Sequence, residues 1–238
     1  LDSAGAPKWH RLPLAGARNW LEAIALCYDG FFRNHLDIGM KSATPARPRF
    51  IVGISGASGV VYGIRLLQLL RQLDVETHLV MSKSAQVTLA HETDLSVADV
   101  RALADVTYSN TDIGAAIASG SFKVEGMVVA PCSIRTMSEI ATGVTGSLLS
   151  RAADVMLKER KRLVLMLRET PLHLGHLRSM TAVTEAGAIV YPPVPAFYAR
   201  PQSIEQMVDH TLGRVLDLFG LDAGTVTRWE PARNPEAE

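Results

Sequence analysis

From Arg49 onward, short and mostly apolar runs alternate with longer segments whose apolar residues recur at helical spacing. Strands are expected over 50–54, 77–81, 126–130, 163–167 and 188–190. Helices are expected over 60–73, 84–90, 97–104, 136–141, 148–159, 173–185 and 204–219. A strand that is apolar on both sides needs cover on both faces. Strands of that kind alternating with helices predict an α/β three-layer sandwich around a mostly parallel sheet. Ligands of such sheets bind beyond the carboxyl ends of the strands, near the point where the strand order reverses. The informative residues are therefore those that directly follow each strand.

The chain has 238 residues, enough for one such core with short additions. Its 24 Lys and Arg balance 24 Asp and Glu, so no overall field draws it to nucleic acid or to an anionic membrane. Two cysteines, Cys27 and Cys132, are too few for a disulfide framework and form no CxxC pair. No apolar run approaches the roughly 18 residues of a membrane span, and the first residues lack a signal-peptide pattern. The expected location is the cytoplasm. Residues 1–48 read as an extension outside the core, with a short helix near 19–32 and translation starting at Met40. Residues 49–230 read as the functional domain and 231–238 as a tail.

The first loop is Gly53-Ile54-Ser55-Gly56-Ala57-Ser58-Gly59, opening a helix. Small residues there let backbone N–H groups approach an anion. The glycine spacing is not GxGxxG, and the second strand ends in Ser82-Lys83 where a ribose-binding acid belongs, so NAD is disfavoured and a flavin mononucleotide is favoured. The third strand is expected to stop at Pro131, before Cys132-Ser133-Ile134-Arg135-Thr136. Those residues form either a second anion nest or a plain N-cap. Cys132 reads as a buried apolar side chain. Arg168 and Glu169 follow the fourth strand, where a cation and a carboxylate serve phosphate binding and proton transfer. Lys158 ends the preceding helix, and its bland reading is a solvated helix end. Glu92 lies in the polar cluster His91-Glu92-Thr93-Asp94. The His173 and His176 pair reads as a turn at a helix start, not as a metal site. The proline-rich loop after the fifth strand brings Tyr198 to the same edge, and Arg214 lies on the last helix.

Five stretches occur in order: GISGASG, HETD, APCSIRT, RAADVMLKERKRLVLMLRETPLH and PAFYARPQS. Together they resemble the UbiX-type flavin prenyltransferases over about residues 49–230. The resemblance implies a Rossmann-like, flavoprotein-type fold. It implies transfer of a dimethylallyl group from dimethylallyl monophosphate to N5 and C6 of reduced FMN without a metal. The prenylated FMN would serve a separate UbiD-type decarboxylase, and the assembly would be a homododecamer. Carried over by position, Gly56, Ala57, Ser58, Ser82, Ser133, Ile134, Arg135, Thr136 and Arg168 would contact FMN. Lys158, Tyr198 and Arg214 would meet the prenyl phosphate, and Glu92, Lys158 and Glu169 would be catalytic. Ala199 and Ser147 depart from common family residues and are expected to carry no chemistry. Two alternatives share the fold: a flavin-dependent cysteine decarboxylase, whose PASANT-like loop is APCSIRT here, and a non-catalytic flavin carrier.

Overall fold

Six parallel strands in the order β3-β2-β1-β4-β5-β6 form the centre of the molecule. They are β1 (Arg49–Ile54), β2 (Glu76–Met81), β3 (Val106–Ser109), β4 (Gly126–Cys132), β5 (Arg162–Leu167) and β6 (Ile189–Val190). The computed structural model describes residues 47–229. The expected extension, its helix and the start at Met40 lie outside the described residues except at 47–48.

Successive side chains of a strand point to opposite faces, and the two cores follow that period. Phe50, Val52 and Ile54 of β1 join Leu79 and Met81 of β2 in one core. It is covered by α1 (Val60–Gln72), α2 (Lys83–Glu92), α3 (Val97–Arg101) and α7 (Ile204–Asp217). Ile51, Val80, Met127 and Val129 face the other way. There α4 (Ile134–Thr142), α5 (Leu148–Lys158) and α6 (Leu174–Glu185) cover them. The expected three layers are present, with the sheet parallel throughout.

Three expectations require correction. The strand β3 was absent from the sequence reading. Its four residues are alternately half-buried and exposed at the sheet edge, so no apolar run announces it. The strand β4 does not stop at Pro131 but continues through Cys132, with a register shift against β5 between Val129 and Cys132. Proline has no N–H to give to the ladder, and an irregularity there accommodates it. The third helix ends at Arg101, not at 104.

The order reverses between β1 and β4, which pair directly and lead to opposite faces. Ser55 ties the two loops at this point. Its buried hydroxyl donates to the Pro131 carbonyl at 2.9 Å and accepts from the Ser133 N–H at 2.7 Å. Helix α1 must also pack closely on the sheet here, because a methyl group on Gly63 would strike the Ala130 carbonyl of β4 and Ile54 of β1. Among the described residues no helix is long and apolar enough to cross a membrane.

Candidate active site

A cavity of about 410 Å³ opens beyond the carboxyl ends of β2, β3 and β4. Three helices point their N-termini into it. Ser82 caps α2, its oxygen accepting from Ala85 N–H at 3.0 Å. Ser133 caps α4, accepting from Thr136 N–H at 3.3 Å and donating to the Thr136 hydroxyl at 3.1 Å. Ser147 caps α5 in a reciprocal pair with Ser150. Helix N-termini carry partial positive charge, and Lys83 and Arg135 add full charges at the rim. Among the described residues, Glu139 is the one carboxylate lining the cavity, and it is paired with Arg135 at 3.0 Å. The arrangement fits a phosphate, and N-capping and cavity lining turn out to be the same positions. Ile134 is different: it does not line the cavity, and its side chain is partly buried against the core.

Sequence reasoning missed part of this wall. Asn110, after β3, accepts from Leu148 N–H through its carbonyl at 2.9 Å and from Leu149 N–H through its side chain at 3.0 Å. It therefore fixes the start of α5, and with Thr111 it lines the cavity. Ser147, expected to carry no chemistry, lines it as well. The strand-like run Val106-Thr107-Tyr108-Ser109 before Asn110 was the available signal.

The first loop is held by a carboxylate from elsewhere in the chain. Gly56 is required by packing, since a Cβ there would overlap the Ser84 side chain. Gly59 adopts φ 99° at the N-cap of α1, a conformation that glycine accepts without cost. The N–H groups of Gly59 and Val60 both donate to the Glu92 carboxylate at 2.9 Å. The N-terminus of α1 is thus already satisfied by an anion from the protein.

Desolvation pushes the Glu92 carboxyl upward, but the Ser58 hydroxyl, the two amides and the Arg168 charge together outweigh it. The net direction is down from the ordinary 4.5. A lowered carboxyl contributes stability above its unfolded value and loses it as pH falls through its folded value. Urea unfolding should therefore show Glu92→Gln less stable than the native chain near neutral pH. That difference should shrink as pH falls through the lowered folded-state value of Glu92, because a protonated carboxyl no longer gains from these contacts. A difference that persists unchanged at acid pH would contradict this role.

At the end of β5, Arg168 N–H donates to the Cys132 carbonyl at 3.0 Å, and the Arg168 charge reaches Glu92. Arg168 thereby links the first loop to the β5 loop. Glu169 is half-buried beside it and accepts from Thr170 N–H at 3.1 Å. Cys132 is fully buried, and burial pushes its thiol up to about 12, so it is an apolar packing group. His173 caps α6 by accepting from Gly175 N–H at 3.0 Å, and its ring lies 3.5 Å from that of His176. Among the described residues no group of three or more His, Cys, Asp or Glu is placed to hold a metal.

Tyr198 and Arg214 lie together near Tyr191, whose phenol both influence, although burial is what chiefly raises it. Tyr198 packs edge-on against His210 and Trp229 at 5.7 and 5.5 Å. Lys158 is not with them. The helix α5 starts at Asn110 on the carboxyl edge and descends about 16 Å over its 11 residues. It ends beside β5 at Arg162, where Lys158 is paired with Glu159 near Gly120. Within one chain, Lys158 and Glu169 stand at opposite edges of the sheet.

The model of the family described as Flavoprotein matches residues 40–216. The flavin prenyltransferase UbiX of Escherichia coli is 59% identical over 187 residues, covering 77% of this chain and 99% of that protein. The chain belongs to the UbiX flavin prenyltransferase family. Its fold is that of solved UbiX structures. One, described as AnUbiX in complex with FMN and dimethylallyl pyrophosphate, is 52% identical with a TM-score of 0.77, covering 79% of this chain and 100% of that one. Another, described as a dodecameric FMN-dependent UbiX-like decarboxylase from Escherichia coli, is 47% identical with a TM-score of 0.75, covering 77% and 100%. As a member of the UbiX flavin prenyltransferases, the chain is an enzyme of the transferase class.

Proposed function

We propose that this chain joins the dimethylallyl group of dimethylallyl monophosphate to N5 and C6 of reduced FMN, and that the prenylated FMN passes to a UbiD-type decarboxylase in the cytoplasm. The observation that carries the reading is the cavity where three helix N-termini and two cations meet at the switch point of the sheet. Such a site suits the phosphate of FMN. The flavin phosphate is assigned to Ser82, Ser133, Arg135 and Thr136, with the Ile134 backbone alongside. Gly56, Ala57, Ser58 and Arg168 are assigned to the remainder of the flavin. The glycine loop serves here as a close backbone approach, while Glu92 holds it in place.

The prenyl donor loses its phosphate as an allylic C–O bond breaks and the carbon bonds to the flavin. Closing the ring with a carbon–carbon bond at C6 then requires that the C6 proton leave. Fixed cations stabilise the departing phosphate in place of a metal, and Arg214, the Tyr198 hydroxyl and Lys158 are assigned that part. Glu169 is assigned the proton. The lowered Glu92 carboxyl suits a permanently charged orienting group, not a base. Because Lys158 and Glu169 lie at opposite edges of one chain, Lys158 serves the site of a neighbouring copy. A homododecamer of the kind seen in the Escherichia coli relative provides such neighbours.

FMN and NAD titrations test the cofactor side. FMN is expected to bind far more tightly than NAD, both to the full chain and to a chain beginning at Met40, because the domain proposed for flavin binding begins near residue 49. Tighter binding of NAD, or loss of FMN binding on removal of 1–39, would contradict the reading.

A further inference from the structure

The segment 221–229 after α7 folds back along that helix and ends at the proposed prenyl-phosphate residues. The Thr225 hydroxyl donates to the Asp209 carbonyl at 2.8 Å, and the His210 ring lies 3.3 Å from the Thr227 carbonyl. Gly213 makes the close approach possible, since a methyl group there would run into Thr225 and Val226. At the end of the segment, Trp229 meets Tyr198, and Arg228 meets Asp217.

Asp217 is the shared group. Arg228 grips it with two nitrogens, Nη1 to Oδ2 at 2.5 Å and Nη2 to Oδ1 at 2.9 Å. Arg214 makes a single contact, Nη1 to Oδ2 at 2.8 Å, and donates no other hydrogen bond among the described residues. The Asp217 side chain is only 19% exposed, whereas that of Arg214 is 48% exposed. A two-pronged guanidinium–carboxylate pair is the stronger and more directional of the two arrangements. The three groups together carry one net positive charge. Without Arg228 they would carry none, and Arg214 would be the sole partner of a half-sheltered carboxylate.

We propose that Arg228 is a positioning residue for the prenyl donor: it satisfies Asp217 through both oxygens and so leaves the charge and free N–H groups of Arg214 for an anionic substrate. The inference rests on the assignment of Arg214 to the donor phosphate. It makes the folded-back segment part of the donor site, with Arg228 acting through Asp217 and Arg214 and not on the donor itself.

The test is the Kd of dimethylallyl monophosphate, measured by calorimetry on full-length protein loaded with oxidised FMN, where no turnover occurs. Arg228→Ala is expected to weaken donor binding about tenfold, the scale of one charge-assisted contact, with FMN affinity unchanged. Adding Asp217→Asn to that variant removes the carboxylate that captures Arg214, and affinity is expected to return to within about threefold of the native value. If Arg228 only anchors the segment, the double variant stays as weak as Arg228→Ala, and the proposal is overturned. Native affinity in Arg228→Ala overturns it equally. Should Arg228→Ala fail to fold, Asp217→Asn alone decides: near-native affinity supports the proposal, and a tenfold loss defeats it. Arg214→Ala separates the two levels. No effect there removes Arg214 from the donor site and this inference with it. A weakened Arg214→Ala beside an unaffected Arg228→Ala removes only the inference.

Discussion

Glu169→Gln is expected to bind FMN normally and to lose turnover by about 10²–10⁴-fold, the range for a missing general acid or base. The substitution preserves shape and hydrogen bonding but removes the negative charge and the ability to take a proton. Glu169 follows β5 directly and is half-buried next to Arg168, so its position is set by the end of a buried strand. The cavity residues Ser82, Ser133 and Thr136, proposed for the flavin, belong to other elements and are untouched. The product distribution carries further information. Flavin joined to the prenyl group through one bond only would place Glu169 in ring closure. No joined flavin at all would place it in C–O cleavage. Ring-closed product at the native rate would remove Glu169 from the mechanism and leave the released phosphate as the base.

The second large effect concerns Lys158. Lys158→Ala is expected to lower turnover by about 10²–10³-fold, as for loss of one preorganised electrostatic contact in a dry site. The informative experiment co-expresses Lys158→Ala with Glu169→Gln. Each variant alone is expected to keep only the small residual turnover given above. In mixed oligomers, a site that draws Glu169 from one chain and Lys158 from its neighbour contains both native residues, so activity is expected to return. The basis is the direction of α5, which carries Lys158 to the amino edge beside Arg162 while Glu169 leaves the carboxyl edge. Mixed oligomers with no activity above the separate variants would show that the two residues do not act across a subunit boundary.

Much of this fold was legible because β1, β2, β4 and β5 are buried on both faces and mostly apolar. An apolar run bounded by glycines and hydroxyls has few other uses in a chain of this composition. The edge strand β3 escaped for the opposite reason: it needs only half-burial, so Thr107 and Ser109 are free to be polar. With it went Asn110 and Thr111, which complete the cavity. Ser82 and Ser133 were legible as hydroxyls after strands, and at Ser133 sequence alone left nest and N-cap as rivals. The distinction dissolves in three dimensions, because the capped helices aim at one space. Glu92 shows a limit of another kind. Its type and position were visible, but 33 residues separate it from the Gly59 amide it binds, and no local pattern encodes that contact. The partition of Asp217 between Arg214 and Arg228 is likewise a product of the chain returning on itself.

The central claim is that the cavity at the β1–β4 switch point holds a flavin that this chain alkylates. Mass spectrometry of the flavin tests it most directly, after anaerobic incubation of the protein with reduced FMN and either dimethylallyl monophosphate or the diphosphate. The account predicts FMN heavier by one dimethylallyl unit with the monophosphate, formed catalytically and without added metal. Unmodified FMN with both donors, from protein that binds FMN, would contradict it.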